Sequence, residues 1–219
     1  MAKKTRSPHA RSKSIGSLGT VRAIPPTAKG MAKAAEIVAA ALALFIQGGY
    51  AEMTMRKVAD RVGISLSNVQ HYFPTRKSLL QTMLDEVLNS YEPAYAEVQT
   101  KFHRPRERLA AFIRYLLADA KHPEIERLFI EIWSLATRDP FVRSILDRMY
   151  THHRRNFAAL VAATNPRLSP GQVARRAALV AMQIEGLALL ITDSKPKHPE
   201  LKGIEEECVT AMLRIVEAR

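Results

Sequence analysis

The stretch Thr54-Met55-Arg56-Lys57-Val58-Ala59-Asp60-Arg61-Val62-Gly63-Ile64-Ser65-Leu66-Ser67-Asn68-Val69-Gln70-His71-Tyr72-Phe73-Pro74-Thr75 encodes two short helices and the turn between them. Thr54 can accept a hydrogen bond as the N-cap of the first helix, and Met55, Val58, Ala59 and Val62 fall on one face of it. Gly63 stops that helix. Ser65 caps a second, shorter one over 66–73, whose inner stripe is Val69 and Phe73 at i and i+4. A brace helix, a tight glycine-containing turn and a short second helix form the helix-turn-helix geometry, in which the second helix enters a DNA major groove.

The residues left outside that stripe suit the task. Asn68 and Gln70 can pair with base edges, while Ser65, Ser67 and Tyr72 can donate to phosphate oxygens. Leu66 and His71 share the outer side. Thr54 and Arg56 at the start of the first helix, and Thr75, Arg76 and Lys77 at the start of the next, sit where free backbone N–H groups and the helix dipole favour phosphate. The same spacing also serves helical hairpins that bind no DNA, so the geometry alone leaves both readings open.

On the N-terminal side, Ala34, Ile37, Val38, Ala41, Leu44 and Phe45 recur at helical spacing up to Gly48-Gly49, which marks the end of a first helix. Before it, residues 1–30 contain Ser, Pro, Gly and basic residues but no carboxylate, the composition of a disordered basic arm. On the C-terminal side, a long amphipathic helix is expected from Thr75 to about Thr100. His122-Pro123, Asp139-Pro140 and Ser169-Pro170 then each place proline at a first helical position behind a capping residue. Helices are expected over about 105–120, 123–137, 140–164, 170–192 and 202–218. The fold class is therefore all-α, about nine helices: an N-terminal three-helix unit over 31–77 and a C-terminal helical bundle over 78–219.

The chain has 219 residues and a formal net charge of +12, which points to a polyanionic partner, nucleic acid or an anionic membrane. One cysteine, Cys208, rules out an intrachain disulfide and fits a cytoplasmic location; its apolar helical neighbours suggest a core position. No apolar run is expected to span a bilayer, and no apolar segment follows Lys3, Lys4 and Arg6 as a secretory signal would require.

The ordered run Ile37-Val38, Ala41, Leu44-Phe45, Gly49-Tyr50, Thr54 to Ala59, Val62 to Ser65 and Val69 to Leu80 resembles the N-terminal signature of TetR/AcrR-type transcriptional regulators. The resemblance implies a three-helix DNA-binding domain with its recognition helix at about 65–71, phosphate contacts from Tyr72 and Arg76, and a C-terminal domain that dimerises and holds an inducer. Ser67 and Gln70 depart from the family's usual Gly and Tyr, which alters base preference and one phosphate contact. The C-terminal half resembles the BetI-like branch weakly, in Glu131-Ile132-Trp133-Ser134-Leu135-Ala136 and Ile184-Glu185-Gly186-Leu187. These features imply a ligand-responsive regulator, a repressor that binds a palindromic operator as a homodimer and is released by a small molecule.

The helix at 170–192 is apolar on more than one side, so one face can meet a second copy. The expected dimer residues are Ala177, Val180, Ile184, Leu187 and Ile191, joined by Val209, Met212, Leu213 and Val216 of the last helix in a C2 interface. Mixed aromatic, Met and small residues suit an adaptable pocket: Phe112, Tyr115, Leu116, Phe129 and Ile132, with Trp133, Met149, His153, Met182 and Gly186. Residue by residue, these also fit a plain core. No cofactor, metal site or membrane partner is expected. An enzyme would have to draw on His103, His122, His152, His153, Glu131 and Glu185, and the adjacent His152-His153 cannot share a helix face. A membrane-surface protein would use helix 105–120, with Arg104, Arg106, Arg108 and Arg114 beside Leu109, Phe112, Ile113, Leu116 and Leu117.

Overall fold

The computed structural model describes residues 27–218, so the arm lies outside the described residues apart from its last four positions. Thr27 caps the first helix, its side chain accepting from Gly30 N, and Ala28–Gly30 already form its first turn. The described residues are helical, without strands: α1 Ala28–Glu52, α2 Met55–Val62, α3 Leu66–Tyr72, α4 Arg76–Asn89, α5 Glu92–Lys101, α6 Pro105–Ala120, α7 Pro123–Arg138, α8 Pro140–Thr164, α9 Pro170–Ala188 and α10 Ile204–Glu217, with a 3-10 turn at Pro199–Leu201.

The expected caps form. Thr54, Ser65 and Thr75 each accept from the backbone N–H three residues on, and Ser169 and Gln172 close a reciprocal capping box. Two boundaries differ from expectation. The long helix after Thr75 breaks at Ser90-Tyr91 into α4 and α5, and α9 ends at Ala188, after which the N–H groups of Leu190 and Ile191 both turn back to Leu187 O. Cys208 is half-buried, not enclosed. By length and composition α1 is apolar enough to cross a membrane, contrary to the sequence expectation, but it is broken at Gly48-Gly49 and its Ala34, Ile37, Val38, Ala41 and Phe45 fill a protein core.

The chain divides into two compact units. The first runs through Tyr91 and includes Ile130–Leu135 of α7, so its boundary falls well beyond residue 77. In it α2 and α4 pack on α1, and α3 packs on α2, around Phe45, Met53, Val58, Val69, Phe73, Leu79 and Met83. The second unit holds Glu92–Phe129 and the chain from Ala136 onward. Its centre is α6, which touches α5, α8, α9 and α10. The side chains offered above as a membrane face, Leu109, Phe112, Ile113, Leu116 and Leu117, are its buried core. Phe112 meets Tyr95 edge to face and Phe157 at a tilt, with ring centroids 5.4 Å away in each pair.

α10 is fastened at both ends. Glu205 pairs with Lys121 at 2.6 Å and Glu206 with Arg114 at 2.8 Å near its start, while Glu217 pairs with Arg106 at 2.6 Å near its end. There the carbonyl of Val216 accepts from Asn165 Nδ2 at 3.0 Å and Arg176 Nη1 at 2.9 Å. Because Phe112 is buried against two rings, Phe112→Ala leaves a cavity that its neighbours cannot close. The expected loss is about 3–5 kcal/mol, read as a lower urea midpoint with unchanged slope.

Candidate functional site

The turn between α2 and α3 is set by Gly63, at φ +72°. Its N–H returns to Asp60 O and that of Ile64 to Ala59 O, satisfying the last carbonyls of α2 and reversing the chain within three residues. α3 is then seated by Val69 and Phe73, both wholly buried. With that stripe inward, Ser67, Asn68, Gln70 and His71 are exposed together with the cap Ser65, and Leu66 and Tyr72 flank them half-buried. The Ser65 and Ser67 hydroxyls share a hydrogen bond of 3.0 Å, and the His71 and Tyr72 rings meet edge to face at 5.6 Å. The exposed amides can read base edges.

None of α2, α3 and α4 carries an acidic residue in its first turn, whereas α6, α7 and α10 do. The positive ends of the first three dipoles are therefore left unneutralised, as phosphate binding requires. Arg56, Thr75 and Lys77 are exposed at these ends and Thr54 is half-buried as a cap. Arg76 departs from the expected free phosphate hand. Its Nη2 donates to Tyr50 O, its guanidinium lies 3.6 Å over the Tyr50 ring, and its Nε is buried with no partner.

In the second unit, Ala177, Val180, Ile184, Ile191, Val209, Met212, Leu213 and Val216, expected at a dimer interface, lie inside the chain's own core, with Leu187 half-buried. Those on α9 and α10 other than Leu187 face the unit's own interior, so the eight buried side chains are not available to a second copy. The exposed apolar stripe of α9 is instead Leu179, Met182 and Leu189, with Leu190 beside it and Gly186 between. Met182 and Gly186, expected in a ligand pocket, thus face outward. Of the other pocket candidates, Phe112, Leu116 and Met149 are buried and Tyr115, Phe129 and His153 half-buried in this unit, while Ile132 and Trp133 group with the first unit.

Glu185 and His153 are among the groups here whose titrations are displaced. Burial pushes the Glu185 carboxyl up to about 7, against the opposing pull of a hydrogen bond from Tyr150. Burial, with the neighbouring His152, pulls His153 down to about 4, and the negative charge of Glu92 only partly opposes this. His152 itself is held by Glu92, Nε2 to Oε1 at 2.5 Å. The sequence offered Glu185 as possible catalytic material and as part of the BetI-like run, not as a ligand contact. Its place as the one carboxylate of α9, within the apolar stretch after Arg176, was the available signal. Among the described residues no three His, Cys, Asp or Glu side chains cluster to hold a metal.

A short helix with an exposed polar face, braced across a tight turn, is the architecture of a helix-turn-helix, and the family comparisons make it a DNA-binding one. Residues 37–83 match the model of the tetR family of bacterial regulatory proteins, and residues 105–213 match that of the C-terminal part of BetI-type transcriptional repressors. The chain belongs to the TetR family of transcriptional regulators.

It is 32% identical over 161 residues to an HTH-type transcriptional regulator from the dhlA 5′ region of Xanthobacter autotrophicus, covering 70% of this chain and 74% of that one. It is 27% identical over 157 residues to the regulator BetI of Burkholderia thailandensis, covering 71% and 79%. Among solved structures, a TetR-family regulator from Mesorhizobium loti shares the fold at a TM-score of 0.69 and 21% identity, over 84% of this chain and 96% of that one. A Saccharomonospora viridis regulator in complex with choline does so at 0.67 and 17%, over 86% and 97%. The two relatives matched by sequence are both transcriptional regulators.

The titrations of Glu185 and His153 give opposite pH slopes. Glu185 titrates near 4.5 unfolded and at about 7 folded, so the folded state keeps the proton longer and stability falls as pH rises through that window. His153 titrates near 6.5 unfolded and at about 4 folded, so the unfolded state takes the proton first and stability falls as pH drops through that window. Urea midpoints should show Glu185→Gln gaining on wild type steadily from about pH 5 to about pH 7 and holding a constant difference above. An unchanging difference across the range would mean that Glu185 titrates as an ordinary carboxyl.

Proposed function

We propose that the protein is a cytoplasmic, ligand-responsive repressor that binds a palindromic operator as a homodimer and is released by a small-molecule inducer. The observation that carries the DNA part is the exposed face of α3, where Ser67, Asn68, Gln70 and His71 stand clear while Val69 and Phe73 anchor the helix. The dimer part is supported by Leu179, Met182, Leu189 and Leu190, an apolar stripe with no cover in the single chain. Two recognition helices so joined would enter successive major grooves about 34 Å apart. The inducer would act through its differential affinity for the DNA-competent and DNA-incompetent spacings.

Selection from randomised duplex DNA tests this reading. The expected outcome is a palindrome with half-sites about one helical turn apart. Asn68→Ala and Gln70→Ala should each lose discrimination at particular base pairs, about 1–3 kcal/mol per bidentate contact. Lys77→Ala should weaken all sequences alike and flatten the salt dependence. Met182→Glu should yield a folded monomer by sedimentation that no longer requires two half-sites. Enrichment of no sequence, or of a single half-site by wild type, contradicts the proposal.

The chemistry of the second unit favours a small cation as inducer. Glu185 is half-buried, bonded by Tyr150, and forms no ion pair among the described residues, so it offers a carboxylate whose compensating charge would come from a ligand. The choline held by the Saccharomonospora viridis regulator is a cation of this kind. A cation binds the ionised form, so with a carboxyl at about 7 the affinity for choline should rise about tenfold from pH 6 to pH 8. Calorimetry should show that rise in wild type and none in Glu185→Gln. Equal pH dependence in both would exclude Glu185 from the site.

A further inference from the structure

The segment Glu131 to Ala136 stood out in the sequence without a role, and its first residue reaches the DNA-binding unit. Tyr50 N donates to Glu131 Oε1 at 2.8 Å, across 81 positions of sequence. The carboxylate lies directly over Gly49, which has φ +71°; a Cβ there would fall 2.6 Å from Glu131 Oε1. Glycine is required both by the left-handed backbone and by the space the carboxylate occupies.

Tyr50 is gripped from its other side by Arg76, the first residue of α4, through its carbonyl and its ring. Arg76 holds this position although its Nε is buried and unpaired, a cost that the grip on Tyr50 must offset. Arg76 follows Phe73, the C-cap of α3, by only three residues, with Pro74 between. The position of Arg76 therefore sets where the recognition helix ends. Glu131 in turn belongs to α7, one unbroken helix whose Ile130–Leu135 group with the first unit and whose remaining residues group with the second.

We propose that Glu131 is a positioning residue that couples α7 to DNA affinity: through the Tyr50 amide it fixes the Tyr50–Arg76 contact and so the seating of α3 and α4. A shift of α7 that withdraws the carboxylate loosens Tyr50, frees Arg76 and blurs the recognition helix. The inference rests on the ligand-responsive reading above but identifies the route, which that reading leaves open. Coupling of this kind needs an element with two discrete arrangements, here Glu131 bound to or withdrawn from one backbone amide.

The test uses full-length Glu131→Ala, Glu131→Gln, Arg76→Ala and the double variant Glu131→Ala/Arg76→Ala. Amide hydrogen exchange without DNA is expected to quicken in Glu131→Ala at Gly49–Met53 and also at Arg76–Leu80, where Glu131 makes no bond itself. Glu131→Gln, whose side-chain oxygen still accepts, should retain protection in both segments. On the DNA site enriched by selection, Glu131→Ala should bind about tenfold more weakly, the scale of one charge-assisted hydrogen bond. The double variant should bind no more weakly than Arg76→Ala alone. Unchanged exchange at Arg76–Leu80, or additive losses in the double variant, would overturn the proposal. Should Glu131→Ala fail to fold, Glu131→Asp, which keeps the charge and shortens the reach, takes its place in the same comparison. Failure to enrich any DNA site sinks the regulator reading, and the exchange measurement, which needs no DNA, still decides this one.

Discussion

A helix of seven residues cannot hold itself in water, because nucleation costs more than so few hydrogen bonds return. The recognition helix α3 therefore depends on the burial of Val69 and Phe73 against its neighbours, and much of the first unit serves that end. Gly63 turns the chain sharply enough for α2 to brace it, Ser65 caps its open end, and Pro74 stops it before α4 begins. The reading face is rigid to the extent that its reverse side is anchored. That separation lets the outer residues vary with the operator while the inner ones stay fixed by packing.

The same economy shapes the charge distribution. The long-range attraction of a +12 chain brings it to any nucleic acid, but charge does not aim a helix. Aim comes from helix ends. The first turns of α2, α3 and α4 lack carboxylates, whereas α5, α6, α7 and α10 carry Glu there, in α10 also in ion pairs with α6 and the residue that ends it.

Much of this was legible in the sequence because it rests on local rules. Caps at Thr54, Ser65 and Ser169, proline at the starts of α7 to α9, and the turn at Gly63 each follow from one or two neighbouring residues. What was not legible depended on tertiary partners. Periodicity shows that α9 has apolar residues on more than one side, but it cannot say which side its own unit covers; Ala177, Val180 and Ile184 face inward, and Leu179 and Met182 face out. Arg76 reads as a phosphate ligand from its place at a helix start, and only the contact with Tyr50, 26 positions earlier, shows that it is turned inward. The hydrogen bond from the Tyr50 N–H to Glu131 has no sequence signature at all, since a backbone N–H can donate to any carboxylate that the fold delivers. The break at Ser90-Tyr91 does carry a local mark: Pro93, in the first turn of α5, has no N–H for the Asn89 carbonyl and cannot continue α4, although the amphipathic pattern across it reads as one helix.

The fastening of α10 also fixes its register. Lys121, Arg114 and Arg106 hold its carboxylates at three points along its length, and Asn165 and Arg176 close on its last carbonyls. Sliding this helix by a single turn, about 5.4 Å, would unlatch all five ties together with no replacement in step. The second unit is thus geared against axial slippage of α10, and a tilt or roll of other helices about that spindle disturbs fewer of these ties than a slide along it.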